Sequence, residues 1–307
     1  MEIITDLRNC QLHMGTAVAI GKFDGLHRGH RRLLKEILNK KAEGLKACVF
    51  TFDPSPAVFF GLADGKELMT KIEKRKALQE MGVDILVEYP MNVENAAVSP
   101  YDFVKKLLVE SLHVKFIAAG TDVSFGAKGA GNARLLEECS GELGYELKLI
   151  DKVTFENTEI SSSLVRKQVE AGNMEYVTKL LGLPYSVSGE VMHGRALGRK
   201  LGMPTMNLLP AKEKLLPPVG VYYSQVSYEG EVYPAISNVG YKPTVSQEQV
   251  MGVETYLYNF DKEIYGEGIS VSLLAFKRPE MRFGSVDELK MQMEQDISDG
   301  KEYHFAK

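Results

Sequence analysis

Two histidines three residues apart, His27 and His30, close a glycine-rich run, Gly21-Lys22-Phe23-Asp24-Gly25-Leu26-His27-Arg28-Gly29-His30. An apolar segment, residues 16–20, precedes it and reads as a buried strand; leucines and an isoleucine at helical spacing follow over 31–38. The histidines therefore fall on a strand-to-helix turn. Glycine there lets the backbone approach a ligand, and a helix start offers free N–H groups and a positive dipole end. A phosphate suits that geometry. Imidazoles beside it can donate hydrogen bonds to charge that builds up during nucleotidyl transfer. Three apart, both can face one side of the first turn. The bland alternative is a glycine-rich turn with two surface histidines. Two of the chain's six histidines in one such turn favour chemistry.

A second dense stretch spans 191–208. Gly194, Gly198 and Gly202 come with Arg195, Arg199 and Lys200, so amides and cations can meet phosphates. Pro204 follows, then Thr205 and Asn207, which share a face in an extended segment. Hard oxygen ligands of that kind suit Mg²⁺ shared with ATP phosphates. A third candidate is residues 159–166. Ser161 or Ser162 can cap a helix, the serines and free N–H groups form an anion cradle, and Arg166 adds a charge-assisted contact. In the loop 120–131, Asp122 can bond a ribose or a backbone amide, and Phe125 can stack on a flat ring or plug the core.

The elements that must position these groups change character along the chain. Strands are predicted at 47–52, 84–88, 114–119 and 145–150, with helices at 71–81 and from the Ser99 cap with Pro100 to about 112. That alternation predicts a mostly parallel sheet with helices on both faces, whose ligands bind beyond the carboxyl ends of the strands. The segments 21–30, 51–56 and 120–131 all fall there. A short helix over 174–181 is broken at Leu183-Pro184-Tyr185. Beyond it, β-rich runs at 186–192, 220–228, 231–237, 253–259 and 269–277 predict an antiparallel barrel. A final helix opens on a Ser285–Glu288 capping box and is expected to pack through Leu289, Met293 and Ile297. The expected domains are 1–183 and 184–307.

Composition narrows the class. A formal charge of −4 gives no basic field for nucleic acid. Cys10, Cys48 and Cys139 form no C-x-x-C, so neither a disulfide framework nor a zinc site is expected, and a reducing cytoplasm fits. The first residues lack signal-peptide form, and no apolar run is long enough to span a bilayer.

The run Gly21–His30 resembles the HxGH signature of nucleotidylyltransferases, and in its extended form the adenylyltransferase half of bacterial bifunctional riboflavin kinase/FAD synthetases. Residues 160–166, Ile-Ser-Ser-Ser-Leu-Val-Arg, are similar to that family's second motif, and 120–126 to its Gly-x-Asp-Phe-x-Phe-Gly, with Val123 replacing the usual aromatic. The stretch 194–207 resembles the riboflavin kinase signature, continued at Gly220-Val221-Tyr222, 237–245, 253–257 and 278–283. The resemblance implies an α/β nucleotidyltransferase-type doubly wound parallel sheet domain, then an all-β antiparallel barrel domain with a C-terminal helix. It implies riboflavin kinase and FMN adenylyltransferase activities, with riboflavin, FMN, FAD and ATP as partners, Mg²⁺ as cofactor, and no nucleic acid or membrane. By the same resemblance Glu254 is the base for the riboflavin 5′-hydroxyl, and Thr205 with Asn207 holds the metal. His27, His30 and Arg166 serve adenylyl transfer. Binding roles fall to Gly21, Phe23, Asp24, Gly29, Asp122, Phe125, Ser161, Ser162, Ser163, Gly194, Arg199, Gly202, Pro204, Asn238 and Arg278. Two rivals stay open: a kinase with an impaired first domain, suggested by Val123, and a flavin- or nucleotide-sensing regulatory protein.

Overall fold

A computed structural model describes residues 1–8, 10–193, 201–243 and 249–306. Two compact units divide between Ser162 and Ser163.

The first unit carries a six-stranded sheet in the order β1-β4-β3-β2-β5-β6. Its strands are β1 (Glu2–Ile4), β2 (Thr16–Ile20), β3 (Lys46–Asp53), β4 (Ile85–Pro90), β5 (Val114–Gly120) and β6 (Glu146–Ile150), and every pairing is parallel. The apolar runs are fully buried because helices cover both faces; all five residues of β2 are buried. Alternate side chains feed two cores. Val18, Ile20, Cys48, Phe50 and Val87 enter one, with Phe103 and Leu108; Ala17, Ala19, Val49 and Leu86 enter the other. The second core includes Leu33, Leu34 and Ile37 of α1 (Arg28–Asn39) and Leu78 of α2 (Lys71–Glu80). Strand order runs one way from β2 to β4 and the other way through β5 and β6. The reversal at β2 and β5 makes a crevice at their carboxyl ends, where the segments 21–30 and 120–131 emerge.

Two features here were not legible. β1 is too short to show a period. The expected helix from Pro100 to 112 is α-helical only over Pro100–Asp102 and then π-helical over Phe103–Ser111. A small ribbon, β7 (Thr154–Phe155) with β8 (Thr158–Glu159), follows α3 (Ala133–Leu143) and β6.

The division falls one residue into α4 (Ser162–Glu170), and α5 (Met174–Leu181) follows in the second unit. A closed antiparallel barrel follows, in the order β10-β13-β12-β11-β14-β9. Its strands are β9 (Tyr185–Met192), β10 (Met206–Leu208), β11 (Gly220–Tyr228), β12 (Glu231–Pro243), β13 (Gln249–Leu257) and β14 (Gly268–Pro279). The compact units therefore divide ahead of residues 183/184. α5 buries Val177, Leu180 and Leu181, and it packs on β9 and β14. Inside the barrel Ser224, Ser237 and Thr255 form a buried hydroxyl ladder with links of 2.8 Å.

The terminal helix α6 (Val286–Phe305) differs from the sequence expectation at its cap. Ser285 does cap it, accepting from the Glu288 N–H, but Glu288 reaches back to the N–H of Gly284 and not of Ser285. Leu289, Met293 and Ile297 are only half-buried, whereas Asp296 and Gly300 are buried. Gly300 is needed because a Cβ there would strike the Tyr258 hydroxyl, which donates to Ile297 O at 2.7 Å. Asp296 accepts from Arg278 through two guanidinium nitrogens and pairs with Lys277 at 3.2 Å. The helix is thus fastened by a buried carboxylate between two cations. Removing it leaves Arg278 without a carboxylate partner and Lys277 with Asp299 alone. Asp296→Ala is expected to destabilise the chain by about 3 kcal/mol, read by urea denaturation. A loss within a few tenths would mean the pairs add little.

Candidate active sites

The turn after β2 is built by burying its own apolar side chains. Phe23 and Leu26 are 0% and 1% exposed, yet both take positive φ, 48° and 44°, with Gly25 at 83° between them. Left-handed backbone is costly for such residues and persists only where packing over-determines it. Here the core supplies that: both side chains join Leu33, Leu34 and Leu78. Asp24 faces the other way. Its Oδ1 accepts from the N–H groups of Leu68 and Met69 at 2.9 and 3.3 Å, and its carbonyl accepts from Ser162 Oγ at 2.9 Å. Gly21 N–H donates to Phe50 O, and Thr51 Oγ1 to Lys22 O, so β3 holds the start of the turn.

His27 caps α1. Its Nδ1 accepts from the His30 N–H at 3.3 Å, so a neutral His27 carries its proton on Nε2. The two imidazoles stack, with centroids 3.7 Å apart and planes 17° apart. Gly29 makes room, since a Cβ there would press on the His27 ring. The Phe23 ring lies 5.1 Å from that of His30. Burial pushes His27 down to about 4, against opposition from the Asp24 and Asp122 carboxylates. Burial pushes His30 well below its ordinary value too, helped by His27 and by the Lys74 ammonium. Both rings are therefore neutral at pH 7. His30 Nδ1 is buried with no partner, as is Arg31 Nε.

Asp122 stands within electrostatic reach of His27 and pairs with Lys152 at 3.6 Å. Phe125 is 2% exposed, 5.1 Å from Phe103, and a Cβ on Gly131 would collide with it. Of the two readings of that ring, the core plug is the one seen. Ser161 and Ser162 end the first unit, with Ser161 exposed. Ser163 and Arg166 fall in the second unit, on the first turns of α4. Sequence reasoning missed Lys74 and the tether from Asp24 to 68–69. The capping box of Thr70 with Glu73 was a readable signal for where α2 begins.

The second site lies on the outer face of the barrel. Val253 and Thr255 are buried, so Glu254 and Tyr256 point the other way. Glu254 lies directly opposite Asn207 across β10 and opposite Asn238 across β12. Directly paired residues share a face, so three strands bring these side chains together. Thr205 Oγ1 donates to Glu254 Oε1 at 2.6 Å. Asn238 Nδ2 donates to Glu280 Oε1 at 3.2 Å, while Asn238 Oδ1 is buried without a partner. A cleft of about 480 Å³ opens beside them, lined by Pro204, Tyr256, Leu257 and Phe260 among others. Gly202 precedes it with φ of 80°. The Arg278 guanidinium is engaged by Asp296 and by Pro279 O. Gly194 and Arg199 lie outside the described residues.

Two family descriptions match in series, FAD synthetase over residues 10–164 and riboflavin kinase over 181–304. A protein of Listeria monocytogenes named bifunctional riboflavin kinase/FMN adenylyltransferase is 35% identical over 294 residues, covering 94% of this chain and 92% of its own. The Escherichia coli K12 protein of that name is 35% identical over 292 residues, with 94% and 93% covered. The Bacillus subtilis one is 32% identical over 296 residues, with 94% and 92% covered. A crystal structure from Streptococcus pneumoniae, described as a macrolide-efflux protein, superposes with a TM-score of 0.86 at 28% identity, covering 97% of this chain and 98% of its own. Among the described residues here, no helix is long and apolar enough to cross a membrane. The two descriptions match in series, the relatives match over nearly their whole length, and this chain belongs to the bifunctional riboflavin kinase/FMN adenylyltransferase family.

Proposed function

We propose that the chain phosphorylates riboflavin to FMN with ATP through residues 184–307, and transfers AMP from ATP to FMN through residues 1–183, giving FAD and pyrophosphate. The observation that carries the reading is the constellation of Asn207, Asn238 and Glu254 on three adjacent strands, with Thr205 just ahead of β10 bonded to Glu254, beside a cleft. The riboflavin 5′-hydroxyl attacks the γ-phosphorus of ATP, its proton passes to Glu254, the bond from that phosphorus to the β-phosphate oxygen breaks, and ADP leaves. The donor set also fits Mg²⁺. Thr205 and Asn207 offer hard oxygens, and Asn238 Oδ1 is an orphaned buried acceptor. Bound there, the ion would neutralise charge on the ATP phosphates. The cleft wall joins Pro204, Tyr256 and Phe260 with the polar Asn259 and Asp261, a mixed lining that suits a flavin ring with its polar edge.

At the other site an FMN phosphate oxygen attacks the α-phosphorus of ATP, and pyrophosphate leaves. No proton has to be removed, because the nucleophile is already an anion. His27 and His30 act as neutral donors to charge on the transferring phosphate. The glycine-rich turn and the start of α1 supply backbone N–H groups. Free Cys10, Cys48 and Cys139 suit a cytoplasmic enzyme.

Purified chain given riboflavin, ATP and Mg²⁺ is expected to show FMN first and FAD later by chromatography. FMN alone would confine activity to the barrel, and neither product would favour a sensor. Glu254→Gln is expected to slow FMN formation by about 10²- to 10⁴-fold while FMN supplied directly is still converted to FAD. Normal turnover in that variant would remove Glu254 as the base. His30→Ala is expected to do the reverse, cutting FAD formation by about 10²-fold with FMN formation intact. Equal loss of both products would refute two separate sites.

The neutral histidines also set a pH dependence. His27 titrates at about 4 when folded, against 6.5 ordinarily. Between those values the unfolded chain binds more protons, so acid favours unfolding. This stabilisation is complete above pH about 6.5 and is lost as pH falls toward about 4. The wild-type melting temperature is expected to drop across that window more steeply than that of His27→Gln. Parallel curves would show that His27 is not buried neutral.

A further inference from the structure

Lys74 is 8% exposed, on a helix whose other cations lie nearer solvent. Among the described residues its ammonium makes no hydrogen bond and no ion pair. Its stem is buried, and with no partner among them the ammonium is left to water or to a ligand. Its tip is not sealed: the sealed, partnerless polar atoms are His30 Nδ1, Arg31 Nε and Asn238 Oδ1, so Lys74 Nζ still meets solvent.

Three constraints turn the helix face that carries Lys74 toward the histidine turn. The Asp24 carboxylate holds the N–H groups of Leu68 and Met69, which binds the segment entering α2 to the histidine turn. Thr70 and Glu73 cap α2 reciprocally, which fixes its first turn. Lys74 and Leu78 are four apart on one helix face, and Leu78 is buried with Phe23 and Leu26 of that turn. Phe23 in turn lies against the His30 ring. The Lys74 charge is felt at His30, where it opposes protonation. A cation placed so serves the histidine pair in two ways. It keeps His30 a neutral donor, and it offers a full positive charge where phosphate oxygens would sit.

We propose that Lys74 is a catalytic residue of adenylyl transfer, its ammonium contacting the phosphate oxygens of the reacting nucleotides beside His30. The proposal rests on the adenylyl-transfer reading of this site. The lysine moves no proton. One P–O bond forms between FMN and the α-phosphorus and one breaks to release pyrophosphate, and Lys74 lowers the energy of the charge in between.

The test uses the full chain with Lys74→Met, which keeps the length of the stem and removes the charge, and Lys74→Arg. FAD formation from FMN and ATP, FMN formation from riboflavin and ATP, and the melting temperature are read on each. Lys74→Met is expected to lower the FAD rate by about 10²-fold, leave the FMN rate unchanged, and melt at or above the wild-type temperature. Lys74→Arg should recover part of the FAD rate. A wild-type FAD rate in Lys74→Met would overturn the proposal. So would a slow Lys74→Met chain that melts well below wild type, since that marks a structural lysine. A wild-type chain that makes no FAD at all would sink the adenylyl-transfer reading itself.

Discussion

The first unit depends on a backbone that its own residues resist. Left-handed geometry costs an L-residue about 1–2 kcal/mol, and Phe23 and Leu26 both adopt it. Full burial of a Phe or Leu side chain returns about 1.5–3 kcal/mol each, so packing wins, but only while the core beneath is complete. Everything functional in the turn follows from that contest. With the apolar side chains driven down, the chain must lift His27 into the cap position. From there its Nδ1 meets the His30 N–H and the rings stack.

Burial keeps both imidazoles neutral, and the stacking at 3.7 Å adds to that at His30. Two imidazolium ions so close would repel, and burial already disfavours even one. The pair stays neutral, with one tautomer assigned by the hydrogen bond to Nδ1. The barrel site is made by another route. No strain is needed there, because antiparallel register alone sets Asn207, Glu254 and Asn238 side by side. A shift of one residue in any of those strands would turn its member into the barrel interior.

Much of this was legible because it rests on local pattern. The strand-turn-helix around His27, the parallel sheet and the barrel all show in apolar period and in glycine and proline punctuation. β11 falls at 220–228 as read. What escaped depended on distant partners. β10 is three residues long and exists because β9 and β13 flank it. α6 was read as docking through its apolar residues. Its most buried positions are Asp296 and Gly300, whose partners are Arg278 and Tyr258. Lys74 reads as an ordinary charged position on an amphipathic helix, since nothing within α2 reveals the Asp24 tether that brings it to the histidines.

The contrast between the sites matches the nucleophile each must use. A sugar-chain hydroxyl holds its proton tightly, so an attack by it needs a carboxylate at the point of bond formation, and the barrel presents Glu254 already in contact with Thr205. A phosphate monoester is an anion before the reaction starts. A base beside it would only add repulsion, and what helps is neutral donors, backbone N–H groups and positive charge. The turn after β2 has that composition: two neutral imidazoles and the start of a helix, with Asp24 holding the segment that leads to Lys74. The one carboxylate at its centre, Asp24, is turned away from that role by two backbone N–H groups that occupy its Oδ1.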